Sequence, residues 1–147
     1  MDMEEKMIAF ICPLGEEGST VRKRSDDIMM HIIEPIAKEL HYRVERADML
    51  YGTFVMDDII TMLREADIVI ADLTGLNPNV FYELGLRQAT KGKCINIIDA
   101  KEKKLPFDNG YIRAIKYKYN SDNTYEAGSR LREDLKRRIL KLQDMSW

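Results

Sequence analysis

A chain of 147 residues, 45% of them apolar and 33% charged, is long enough to bury one core and has the composition of an ordered globular domain. Its 23 basic and 25 acidic residues leave a formal charge of -2, which gives no electrostatic footprint for DNA or RNA and excludes nucleic acid as the expected partner. The apolar runs are strand-sized, too short to span a membrane.

The first segment, Met1-Asp2-Met3-Glu4-Glu5-Lys6, is acidic and lacks the basic-then-apolar pattern of a signal peptide. Met7 to Cys12 is a continuous apolar run of buried-strand type, ended by Pro13 and Gly15. A polar loop from Pro13 to Arg24 follows, with Ser25 as the expected N-cap and Asp26 and Asp27 in the first turn of a helix. Ile28, Met29, Ile32, Ile36 and Leu40 recur at helical spacing, with a kink expected at Pro35. Tyr42 to Ala47 alternates as a second strand, and a loop from Asp48 to Thr53 leads to a helix near Val55 to Glu65.

Asp67 to Asp72 reads as the third strand, followed by a helix from about Asn79 to Thr90 with Gly92 as its C-cap glycine. Cys94 to Ile98 is the fourth strand, and Asp99 to Gly110 is a loop containing Leu105-Pro106-Phe107-Asp108. Ile112 to Tyr119 reads as a fifth strand at an edge, where Arg113, Lys116 and Lys118 would blunt further pairing. A last helix from about Thr124 to Gln143 carries Ala127, Leu131, Leu135, Ile139 and Leu142 on one stripe. Cys12 and Cys94 have neither CxxC nor His spacing and read as buried thiols in a reduced, cytoplasmic protein.

Alternating strands and helices predict an α/β fold, a flavodoxin-like or Rossmann-like three-layer sandwich with a five-stranded parallel sheet of order 2-1-3-4-5, all in one domain spanning residues 1–147. Ligands of such sheets sit past the carboxyl ends of the strands where the order reverses, here between strands one and three. Cys12, Pro13 and Gly15 on one side and Asp72, Asn77 and Asn79 on the other are therefore the candidate substrate-binding residues.

Glu83, set among Phe81, Tyr82 and Leu84 near the start of the helix after strand three, is the candidate catalytic group. A nucleophilic or acid–base carboxylate and a mere complement to the helix dipole are both open to it. Asp72 admits two roles, contacting the ligand or forming an Asx turn with the Thr74 backbone. Asn79 reads first as a helix cap. His31 and His41 lack metal-ligand spacing, and neither a metal nor a redox cofactor is expected.

The run Asp72-Leu73-Thr74-Gly75-Leu76-Asn77-Pro78-Asn79-Val80-Phe81-Tyr82-Glu83-Leu84-Gly85 resembles the signature of nucleoside 2-deoxyribosyltransferase-like proteins. That superfamily includes deoxynucleoside monophosphate N-glycosidases and is a distant structural relative of TIR domains. The resemblance implies that Glu83 attacks the anomeric carbon of the sugar and that the helix N-terminus keeps its carboxylate ionised. It implies further that Asn77 contacts the sugar or its 5′ substituent, and that an aspartate on the preceding helix, Asp58 in preference to Asp57, orients the sugar or protonates the leaving base. Asp57 and Asp58 also read as a dipole-complementing pair.

The implied partner is a small-molecule nucleoside or nucleotide, and relatives that complete their sites across subunits imply a homo-oligomer. The first loop departs from the monophosphate-cleaving branch, which has a strand tyrosine followed by a Gly-Ser pair. Phe10, Pro13 and Leu14 stand there instead. An NAD-cleaving, TIR-like activity and a non-catalytic nucleotide-binding module are the alternatives.

Overall fold

The computed structural model describes residues 5–46, 55–90, 92–102, 113–119 and 124–145. The strands are β1 Lys6–Ile11, β2 Tyr42–Arg46, β3 Ile68–Asp72, β4 Lys93–Asp99 and β5 Ala114–Tyr117. The α-helices are α1 Thr20–Ile28, α2 Glu34–Leu40, α3 Val55–Glu65, α4 Pro78–Ala89 and α5 Thr124–Gln143. The strands form one sheet ordered β2-β1-β3-β4-β5 with every neighbouring pair parallel, the expected arrangement.

Alternate strand residues point to opposite faces, and both faces are covered. Ile8, Phe10, Ile68, Ile70, Ile95 and Ile97 pack in one core with Ile28, Ile36 and Leu135 of α1, α2 and α5. Met7, Ala9, Ile11, Val69 and Ala71 pack in the other with Leu63 of α3 and Val80 and Leu84 of α4. This double cover explains why the inner strands lack polar alternation. Among the described residues no helix is long and apolar enough to cross a membrane.

Two expectations about helix ends are corrected. The first helix starts earlier, because Ser19 rather than Ser25 is its N-cap and accepts the Arg22 N–H at 3.1 Å. Ser25 is instead a fully buried residue inside α1 whose hydroxyl donates to the Pro13 carbonyl.

At Pro35, where a kink is expected, the helix is interrupted. A π-helical turn, Met29–Ile33, widens the backbone before it, and the Glu34 N–H reaches back to the Met29 carbonyl. Proline has no N–H for the carbonyl four residues earlier. That carbonyl belongs to His31, and Arg132 of α5 bonds to it at 3.1 Å.

Gly92 is not the cap of α4, which ends with Thr90 in a right-handed conformation. A side chain at position 92 would collide with the guanidinium of Arg87. Arg87 is buried and donates to the carbonyls of Leu63 at 2.8 Å, Asp67 at 3.3 Å and Lys93 at 3.1 Å, tying α4 to the lower ends of α3, β3 and β4.

β1 stops at Ile11 and leaves Cys12 in the loop, and β5 is shorter than the expected Ile112–Tyr119. Ala47, the loop from Asp48 to Thr53, Leu105-Pro106-Phe107-Asp108 and Ile112 lie outside the described residues.

Candidate active site

β3 ends in Asp72, which is fully enclosed. Its Oδ1 accepts the Thr74 N–H at 3.1 Å and the Thr74 hydroxyl at 2.6 Å, and its Oδ2 accepts the Tyr117 hydroxyl at 2.8 Å. Thr74 Oγ1 also accepts the Asp99 N–H at 2.8 Å and lies 2.9 Å from the Tyr117 hydroxyl. Burial raises the Asp72 pKa, while the bonds from Thr74 and Tyr117 and the nearby Arg24 charge oppose that rise.

The Asx-turn role is therefore the one Asp72 performs. Its carboxylate has no solvent-facing surface for a sugar, which corrects its place among the substrate contacts: it braces the crevice from beneath. Tyr117 is part of this brace and links the edge strand to the turn.

The chain then turns through Thr74–Leu76, where Gly75 takes a φ of 80° that side chains resist. Asn77 caps α4: its Oδ1 accepts the N–H of Asn79 at 2.8 Å and of Val80 at 3.4 Å, with Pro78 opening the helix. The capping role expected of Asn79 thus belongs to Asn77, and Asn79 is exposed in the first turn. The Asn77 amide nitrogen has no hydrogen-bond partner among the described residues.

Glu83 lies in the second turn of α4, half-buried, between exposed Tyr82 and buried Leu84. The dipole effect fades beyond the first turn, so the ionised state expected from the helix N-terminus is not supported there. Burial instead pushes the carboxyl up to about 7. Among the described residues it has no hydrogen bond or ion pair.

Across the switch point, Pro13 is buried, Cys12 is half-buried and Gly15 is exposed. Gly15 has a φ of +63°, and a Cβ there would come within 2.8 Å of Ser19 Oγ, the cap of α1. Asp58 is exposed beside Asp57 in the first turn of α3. Among the described residues no hydrogen bond joins it to Glu83.

Arg24, the expected end of the polar loop that starts at Pro13, instead lies inside α1. Its side chain is 15% exposed, with Nε 4.0 Å from Asp72 Oδ2. Its spacing of four from Ile28 was the available signal, hidden because the helix start was placed at Ser25.

No protein-family model matches this sequence, and no curated protein does. Solved structures do resemble the fold. One is a 2-deoxyribosyltransferase from Leishmania mexicana, at 17% identity and a TM-score of 0.50, over 63% of this chain and 64% of that one. Another is a CMP N-glycosidase from Clostridium botulinum, at 17% identity and a TM-score of 0.50, over 82% of this chain and 96% of that one. The match therefore spans just under two thirds of the Leishmania chain. At this identity both likenesses show a shared fold.

Proposed function

We propose that the protein cleaves or transfers the N-glycosidic bond of a nucleoside or nucleotide, with Glu83 as nucleophile. The observation that carries this reading is a half-buried carboxylate without hydrogen bond or ion pair among the described residues, on the helix that opens past the carboxyl end of β3. A carboxylate committed to structure would be bonded, as Asp72 is. One left unpaired in a partly dry environment is suited to reaction at an electron-poor carbon.

In the first step the ionised Glu83 oxygen bonds to the anomeric carbon as the bond to the base breaks. The electron pair leaves with the base, which takes up a proton. The transition state places positive charge on the sugar, and the adjacent carboxylate stabilises it. Water then attacks the anomeric carbon to complete hydrolysis, or a second base attacks it to complete transfer, and either restores the carboxylate. Asn77 offers its amide to the sugar, Cys12, Pro13, Gly15 and Asn79 bound the crevice, and Asp58 orients the sugar or protonates the base. Asp72 acts indirectly by holding the turn.

The test is base release, followed by chromatography, from a panel of nucleosides, deoxynucleotides and NAD. Base from deoxyribosyl substrates is expected, with Glu83→Ala lowering the rate about a thousandfold or more. The nucleophile must be ionised, so the rate should rise about tenfold per pH unit up to about 7 and then level off. Nicotinamide release alone would move the reading to NAD cleavage. Equal silence of the wild type and Glu83→Ala, with nucleotide binding retained, would remove the enzymatic claim.

A further inference from the structure

The turn between β3 and α4 takes a backbone course that its sequence does not favour throughout. Gly75 has a φ of 80°, and Leu76, the next residue, has a φ of 51° although it carries a side chain. A left-handed φ is sterically costly for a residue with a Cβ, and it persists only where the surroundings hold it. From inside the turn, the Leu76 N–H donates to the Leu73 carbonyl at 3.0 Å.

A second hold comes from outside. The Gly75 N–H donates at 2.8 Å to Oε1 of Glu102, 27 positions further on, in the turn after β4. That turn is itself fixed. Asp99 is buried, its Oδ1 accepts the Lys101 N–H at 2.9 Å, and its carbonyl accepts the Glu102 N–H at 2.9 Å. The Ala100 N–H donates to the Tyr117 carbonyl at 2.7 Å, which ties the same turn to β5. The turns after β3 and β4 are thus joined through buried Thr74, which accepts the Asp99 N–H, and through half-buried Glu102. Among the described residues, the side chain that bonds the left-handed pair is that of Glu102.

Asn77, the cap of α4, follows Leu76 directly, and Glu83 stands in the second turn of that helix. The dihedrals of Gly75 and Leu76 therefore aim the start of α4. We propose that Glu102 is a positioning residue: by accepting the Gly75 N–H it holds this pair in its left-handed form and so sets where Asn77 and Glu83 stand in the crevice. This rests on the glycosidic reading above and adds to it a residue outside the Asp72–Gly85 signature. A carboxylate accepting a backbone N–H makes one of the stronger hydrogen bonds, and a reacting group displaced by about 1 Å costs about 100-fold in rate.

The full chain is compared with Glu102→Ala, which removes the acceptor, and Glu102→Gln, which keeps an acceptor oxygen without the charge. The readouts are base release from the panel of nucleosides, deoxynucleotides and NAD, nitrogen-15 NMR of the backbone amides, and thermal unfolding. Glu102→Ala should lower kcat about 10- to 100-fold while Tm falls by no more than about 4 °C, because only one exposed hydrogen bond is lost. The Gly75 amide resonance should move, and with it those of Asn79 and Val80, whose N–H groups Asn77 caps. Glu102→Gln should recover most of the rate and return these amides toward their original positions.

An alanine variant within about twofold of the unmutated rate, or a glutamine variant as slow as the alanine one, overturns the inference. So does a loss of rate with the Asn79 and Val80 amides unmoved. If the unmutated protein releases no base at all, the glycosidic reading falls and the amides alone decide. Shifts at Asn79 and Val80 that Glu102→Gln reverses then keep Glu102 as the residue that sets this wall of the crevice, and unmoved amides overturn it.

Discussion

Replacing Glu83 by Gln should make the protein more stable, and only above mildly acidic pH. The folded state holds the Glu83 proton up to about pH 7, against an ordinary value of 4.5. Between those values the folded chain binds more protons than the unfolded one, so wild-type stability falls as pH rises. Glutamine resembles the protonated acid in shape and carries no charge, so it escapes that loss. At about 1.4 kcal/mol per pH unit the interval sets a ceiling of roughly 3.4 kcal/mol. Solvent reaches the half-buried carboxylate and screens its charge, which brings the expected gain to about 1–2 kcal/mol above pH 7. Urea unfolding of both proteins at intervals from pH 4 to pH 8 measures the difference. It should be near zero at the acid end, grow through the interval and then level off. A variant that is no more stable at pH 8, or whose advantage is the same at every pH, would refute the claim that Glu83 is an uncompensated charge.

The cap assignment and the packing of Gly92 give two further expectations. Asn77→Ala should cost about 1 kcal/mol in a denaturant melt, because two N–H groups of α4 lose their acceptor. Asn79→Ala should stay within about 0.5 kcal/mol, as an exposed residue without a capping bond. Gly92→Ala should lower stability by about 1–3 kcal/mol in the same assay, since the added carbon would stand 2.2 Å from Arg87 Cζ. The guanidinium cannot simply swing aside, because three backbone carbonyls hold it.

The sheet order was legible because each strand is an apolar run long enough to pair and too short to be a helix, separated from the next by a capped helical pattern. Glu83 was legible because its motif sits directly after such a run. The partners of side chains were not, since they depend on contacts between distant segments. Tyr117 lies 45 positions from Asp72, yet the two hydroxyl-to-carboxylate bonds that enclose Asp72 come from Tyr117 and Thr74. Ser25 looked like a cap because its type and the two aspartates after it fit one. Burial of its hydroxyl against the Pro13 carbonyl decides otherwise. That single displacement of the helix start hides Arg24, whose Nε the folded chain sets 4.0 Å from Asp72 at the end of β3.

Two carboxylates eleven positions apart on one strand–turn–helix segment have opposite fates, and the difference separates scaffold from chemistry. Both are raised by burial. Asp72 receives three hydrogen bonds and fixes the turn, so its removal would act through structure. Glu83 receives none among the described residues, so its burial is a cost with no structural return. The carboxylate most worth removing for stability is therefore the one the proposed reaction cannot do without, and Glu83→Gln should exchange activity for stability in a single substitution. Arg24 stands beside the braced carboxylate from the first helix, its Nε without a hydrogen-bond partner among the described residues.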